Sequence, residues 1–153
     1  METTYTQLVE DLARRLGADA HGLGPESIME FEHEELVARV FLHPNAPAVI
    51  LEAEVCDVDV QAEPAVQAMG LRFLHELNEA ARFSHGVVAC ISAEGQLLAS
   101  CTLPLVSTDT DELMSALEHL LDASSDLRKL WNNASWSSIQ QPDSMALLNA
   151  TRV

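Results

Sequence analysis

Basic residues are scarce in this sequence, and Lys129 is its single lysine. Basic residues total 8 against 24 acidic ones, so the formal net charge is −16. Binding to a nucleic-acid backbone needs clustered lysine and arginine, and so does a polybasic membrane anchor. The composition therefore argues against nucleic acid and the membrane surface as partners.

Cysteine is also scarce, since the chain contains only Cys56, Cys90 and Cys101. An odd number without regular spacing does not form a disulfide framework, and the absence of Cys-x-x-Cys argues against a zinc site. We expect buried, reduced thiols in a cytosolic protein, with a redox pair of Cys90 and Cys101 as the alternative. No apolar run reaches the 18 residues typical of a membrane span. The N-terminus lacks the basic and apolar regions of a secretory signal.

Motifs for catalysis are missing as well. The six histidines form no His-x-x-x-His pair, and neither a glycine-rich phosphate loop nor Gly-x-Ser-x-Gly occurs. Glu32 to Glu35 fit a solvated turn, and Asp57-Val58-Asp59 lacks the remaining ligands of a calcium loop. We therefore expect no enzyme activity, no cofactor and no metal.

The 153 residues, of which 48% are apolar, suit one folded domain. Periodicity predicts helices over 4–16 and 63–83 and a third that starts near Asp109, with Glu112 completing a capping arrangement. Strands are predicted over 27–31, 36–42, 48–56, 85–92 and 96–103. This order indicates an α+β domain over residues 1–136 with a mostly antiparallel, twisted sheet flanked by helices. Residues 137–153 are predicted to form a flexible polar tail.

Alternation along the second and third strands predicts their register. Leu42 should face Val49 on an apolar face, and Arg39 should face Glu52 on the other. For the first strand, we expect Phe31 to face Leu36 and Met29 to face Ala38. The outer face would then carry four apolar residues among charges: Ile28, Val37, Phe41 and Ile50. They are either single exposed side chains or a surface for a non-globular segment of another protein.

Several segments together resemble the class I chaperones of bacterial type III secretion, the Tir-chaperone-like family. The opening helix YTQLVEDLARRLG ends in Leu-Gly, and the strand AVILEAEV follows a short strand pair. The helix AVQAMGLRFLHELNEAA leads into GVVACISAEGQLLASCTLP, a strand–turn–strand that ends in Leu-Pro. The acidic-capped helix DELMSALEHLL closes the domain, with a tryptophan shortly after it.

The resemblance implies a bacterial cytoplasmic homodimer that binds an N-terminal segment of secreted effectors and keeps them soluble and secretion-competent. A secretion-system ATPase or a regulatory protein is a further candidate partner. The implied cargo-binding residues are Ile28, Val37, Arg39, Phe41 and Ile50. The implied dimer-interface residues are Val66, Met69, Gly70, Phe73, Leu77, Val87 and Ala89.

Two alternatives stay open beside this function. The first is a partner-switching regulator that binds a regulatory protein and so couples secretion to gene expression. The second is a small ligand-binding domain or enzyme. A pocket with a strongly perturbed acid or histidine would favour the second alternative.

Overall fold

The computed structural model describes residues 2–18, 24–59, 61–81 and 86–134. The predicted α+β order is confirmed, whereas the domain boundary at 136 and the tail over 137–153 lie outside the described residues. The elements in chain order are α1 (Glu2–Leu16), β1 (Met29–His33), β2 (Leu36–Leu42), β3 (Ala48–Asp57), α2 (Pro64–Ala81), β4 (Val88–Ile91), β5 (Gln96–Pro104) and α3 (Thr110–Asn133).

The five strands form one antiparallel sheet in the order β1-β2-β3-β5-β4. The predicted register of β2 against β3 is confirmed, with Leu42 opposite Val49 and Arg39 opposite Glu52. Every inward-facing pair on this ladder is apolar, whereas the outward-facing pairs include the charged pair Arg39–Glu52, and this alternation fixes which face is buried.

The predicted register of β1 against β2 is wrong by two residues. Phe31 faces Ala38 instead of Leu36, and Met29 faces Val40. The prediction assumed a four-residue turn, but the strands are joined by two residues, Glu34 and Glu35, with φ of 47° and 70°. Such turns match the twist of paired strands but usually contain asparagine or glycine. Because the shift is two residues, both side chains keep the predicted inward face.

The inner face of the sheet packs against α1 and α3. Tyr5, Val9 and Leu12 of α1 are fully buried. The single hydroxyl proton of Tyr5 is shared between the carbonyls of Ser27 (3.0 Å) and Val40 (3.4 Å). The spacing of the three α1 residues matches one face of a helix, so α1 contributes a continuous apolar stripe. The residues of α3 that bury a similar stripe are Leu113, Leu117, Leu120, Ser124, Leu127 and Trp131.

Helix α3 begins as predicted, because the Asp109 side chain accepts a hydrogen bond from the Glu112 amide at 2.8 Å. It continues without a break through Trp131, whose ring meets Phe73 of α2 edge-on with 6.0 Å between ring centroids. A Cβ on Gly70 would lie 3.2 Å from Cη2 of Trp131. The glycine thus permits close approach of α2 to the end of α3.

Candidate functional site

The outer face of the sheet, turned away from α1 and α3, brings the five predicted cargo-binding residues together. Val37, Arg39 and Phe41 lie on β2, with Ile50 directly opposite Phe41 on β3. All four are half-buried, and Ile28, just before β1, is 61% exposed. We define the outer-face patch as these five residues: Ile28, Val37, Arg39, Phe41 and Ile50.

Arg39 lies at the centre of the patch and contacts three glutamates. Its Nε donates to Glu30 Oε2 at 2.8 Å, its Nη1 lies 3.7 Å from Glu52 Oε1, and its Nη2 pairs with Glu54. The hydrogen bond that Arg39 donates to Glu30 is the main cause that raises the pKa of Arg39. Three carboxylates around one guanidinium leave a formal charge of −2 in the middle of an apolar surface.

The β1 edge of the sheet lies beside this patch. His33 and Leu36 flank the two-residue turn and therefore form a hydrogen-bonded pair, so bonded and non-bonded pairs alternate from there along β1. By this alternation, the backbone groups of Glu30 and Glu32 point away from β2. Within the described ranges no hydrogen bond occupies them. β1 is thus an open edge whose outer-facing side chains are acidic.

The predicted dimer-interface residues differ in accessibility. Gly70 and Ala89 are buried within the single chain, with Gly70 against Trp131. A partner chain could therefore meet little of either residue. The other five are half-buried: Val66, Met69, Phe73, Leu77 and Val87.

Residues 7–128 match the model of the Tir chaperone protein (CesT) family. The chain belongs to this family. The predicted resemblance is thereby confirmed, and the protein is assigned to a family of chaperones. No curated protein matches the chain.

Solved structures share the fold of this Tir chaperone family member. A chain of the ExsC–ExsE complex is 19% identical, with 88% of this chain and 98% of that chain covered and a TM-score of 0.72. A chain of the HopA1–SchA chaperone–effector complex is 12% identical, with coverages of 82% and 94% and a TM-score of 0.65. A chain of the Yersinia pestis type III secretion chaperone SycH bound to a YscM2 fragment is 15% identical, with coverages of 80% and 98% and a TM-score of 0.59.

The sequence analysis missed two exposed apolar residues of this Tir chaperone family member. Leu71 on α2 is 60% exposed and Val88 on β4 is 50% exposed. In the sequence, Leu71 falls outside the apolar helical stripe of Phe73, Leu74 and Leu77, and this offset could have indicated that it is exposed. They add exposed apolar area to the two elements of the predicted dimer interface.

The most strongly shifted pKa values in this Tir chaperone family member belong to groups of the core. Burial raises the pKa of Tyr5 to about 12 and that of Cys101 to about 11. Both shifts favour the neutral form, as expected for groups removed from water. Among the described residues, no three His, Cys, Asp or Glu side chains form a group that could hold a metal ion, and no helix is long and apolar enough to cross a membrane.

Proposed function

We propose that the protein is a cytoplasmic chaperone of bacterial type III secretion that binds an N-terminal segment of a secreted effector in extended form. Membership of the Tir chaperone family supports this function. Solved structures that share the fold include a chaperone–effector complex and a type III secretion chaperone bound to a protein fragment. The activity proposed is binding alone, without catalysis or a cofactor.

The observation that carries the proposal is the outer-face patch. Phe41 and Ile50 form a cross-strand apolar pair on a sheet face that α1 and α3 leave uncovered. Burying such side chains against a partner is favourable by about 25 cal/mol per Å² of apolar surface. An extended segment of a protein partner fits this shape, since its side chains can alternate between the patch and solvent.

The charge of the patch and of the adjoining edge indicates the chemistry of the segment. At the β1 edge, Glu30 and Glu32 present backbone groups that no other described residue occupies, and their acidic side chains lie on the outer face. A strand added there would place alternate side chains opposite these carboxylates, where lysine or arginine pairs best. The side chain between them would reach Phe31 on the inner face and should be apolar. The proposed cargo segment therefore carries basic residues on both sides of an apolar one.

The proposed chaperone is a homodimer. Half-buried Met69 and Leu77 and exposed Leu71 and Val88 are apolar residues of α2 and β4 that a second copy could cover. Isologous pairing of the same surface on two chains is the commonest symmetry of soluble oligomers.

Affinity isolation of the tagged protein from its native cells under secretion-inducing conditions tests the function. Wild-type protein should retain secreted proteins, and partial proteolysis should leave a protected segment near their N-termini. Phe41→Asp should reduce recovery at least tenfold, because an unpaired carboxylate would face the apolar cargo. Thr102→Asp, at the exposed position beside Ile50 on β5, is the matched control and should retain the cargo.

Three outcomes would change the proposal. A lone regulatory protein in the isolate would favour the partner-switching alternative. Equal recovery by Phe41→Asp and wild type would remove the outer-face patch from cargo binding. Recovery of no partner under any secretion condition would contradict the chaperone function.

A further inference from the structure

The two edges of the sheet are not equivalent. At the β4 edge, Asn78 of α2 makes two hydrogen bonds to the backbone of Ala89. Its Nδ2 donates to the Ala89 carbonyl at 2.8 Å, and its Oδ1 accepts from the Ala89 amide at 2.8 Å. No equivalent contact occupies Glu30 or Glu32 of β1 within the described ranges.

The register shows which way these backbone groups of Ala89 point. Along each antiparallel strand, successive residues direct their backbone groups to opposite neighbours. When this rule is followed from the bonded pair His33–Leu36 through β2, β3 and β5, the hydrogen-bonded pairs of β4 with β5 are Val88–Ser100 and Cys90–Leu98. The amide and carbonyl of Ala89 therefore point out of the sheet, where a sixth strand would have to bind. Asn78 supplies one donor and one acceptor in the position that a residue of that strand would take.

We infer that Asn78 acts as a strand mimic that closes the β4 edge, so that, within the part of the chain that the structure describes, the sheet keeps its open edge at β1. Closing an edge prevents strand pairing with other chains. Here it also excludes a continuous sheet between two copies of the chain through β4. Under the proposed chaperone function, it further restricts an extended cargo segment to the β1 side, next to the outer-face patch.

Asparagine is well suited to this role. Aspartate keeps the acceptor for the Ala89 amide but loses the donor to the Ala89 carbonyl, and alanine loses both. The exposed side chain of Val88 leaves β4 otherwise attractive for pairing, since it adds apolar surface beside the edge. The closure therefore depends on the one side chain that reaches the backbone.

Amide hydrogen exchange of the wild-type protein is the first test, and it requires neither cargo nor a variant. The Ala89 amide should exchange at least about tenfold more slowly than the Ile91, Glu30 and Glu32 amides, which also point out of the sheet. Ile91 is the matched control, because it lies on the same strand two residues from the contact. An Ala89 amide that exchanges as fast as these three would overturn the inference.

The second test compares the molar mass of wild type, Asn78→Ala and Asn78→Asp by light scattering over a range of concentrations. Opening the edge should raise the molar mass of Asn78→Ala toward twice the wild-type value, whatever the oligomeric state of the wild type. In dilute solution, the Ala89 amide of this variant should exchange fast. Adding Val88→Lys should restore the wild-type mass, because an edge lysine opposes strand pairing.

Wild-type mass for both Asn78 variants, with fast exchange at Ala89, would overturn the inference and leave Asn78 as a local tie between α2 and β4. If Asn78→Ala fails to fold, Asn78→Asp and the wild-type exchange rates still decide between the two outcomes. Neither readout involves cargo, so failure of the chaperone function and failure of the edge closure remain distinguishable.

Discussion

The two faces of the central sheet are built from the same strands but differ in solvent exposure and in the chemistry of their side chains. On β3, Leu51 and Ala53 point inward and are completely buried, whereas Ile50, Glu52 and Glu54 point outward and stay partly exposed. The inner face carries only apolar side chains from β2 and β3, while the outer face places charges among apolar residues. A face built only for water would not need Phe41 and Ile50, and a core would not contain four ionised groups.

The largest expected effect comes from truncating neighbours on opposite faces of β3. Leu51→Ala should lower the free energy of unfolding by about 3 kcal/mol, because it leaves a cavity in a closed core. Ile50→Ala should cost only about 1 kcal/mol, because its side chain is already partly in water. Urea unfolding followed by circular dichroism, at one protein concentration, measures both. Equal losses would show that the outer face is also core.

The next expected effect is on the pH dependence of the free energy of unfolding, which should distinguish a thiol on the inner face from one on the outer face. Burial raises the pKa of Cys101 from 9.0 to about 11, so the unfolded chain ionises first as pH rises. The stability that depends on the neutral thiol is complete below pH 9.0 and is lost as the pH rises toward 11, by up to roughly 3 kcal/mol. Urea unfolding under reducing conditions should show a flatter pH dependence for Cys101→Ala than for wild type.

The matched control for that experiment is Cys90→Ala on the outer face. Cys90 is exposed, although partial burial and the nearby Glu52 raise its pKa as well. Its removal should flatten the pH dependence less than removal of Cys101. The reverse order would contradict the assignment of Cys101 to the core.

The smallest effect is expected at the centre of the outer face. Arg39→Met removes the cation from three carboxylates and should lower the free energy of unfolding by about 1 kcal/mol, since the group is solvent-accessible. Added salt should reduce this loss because it screens the remaining repulsion. Arg72→Met, which breaks an exposed ion pair with Glu76 on α2, is the control and should lower the free energy of unfolding by at most about 0.5 kcal/mol. A larger, salt-independent loss at Arg39 would indicate a buried structural cluster.

The sequence predicted those parts of the fold that follow from local patterns. Strand alternation and the Arg39–Glu52 pair were enough to give the β2–β3 register, because a slip of one residue would expose the apolar face. The five residues of the outer-face patch followed from the same alternation. Their role in cargo binding, and the dimer interface, stay predictions.

Turn geometry and long-range contacts escaped the sequence analysis. Glutamates rarely adopt the left-handed conformation of Glu34 and Glu35, so no residue signal marked a two-residue turn. The contact of buried Gly70 with Trp131 joins positions far apart in sequence, and the place of Gly70 in a dimer interface stays a prediction. The Asn78–Ala89 contact likewise depends on where α2 lies relative to β4, which periodicity does not encode.

The order of the helices and strands along the chain also determines which of them are complete first during synthesis on the ribosome. β1, β2 and β3 are complete once Asp57 has been made, whereas the helix that covers their inner face ends only at Asn133. At about 5 to 20 residues per second, that interval lasts on the order of 4 to 15 seconds. During it, a nascent meander presents Leu51 and its neighbours with only α1 to shield them. Charged residues at alternate positions of these strands, Arg39 and Glu52 among them, then serve as gatekeepers against aggregation of the unfinished chain.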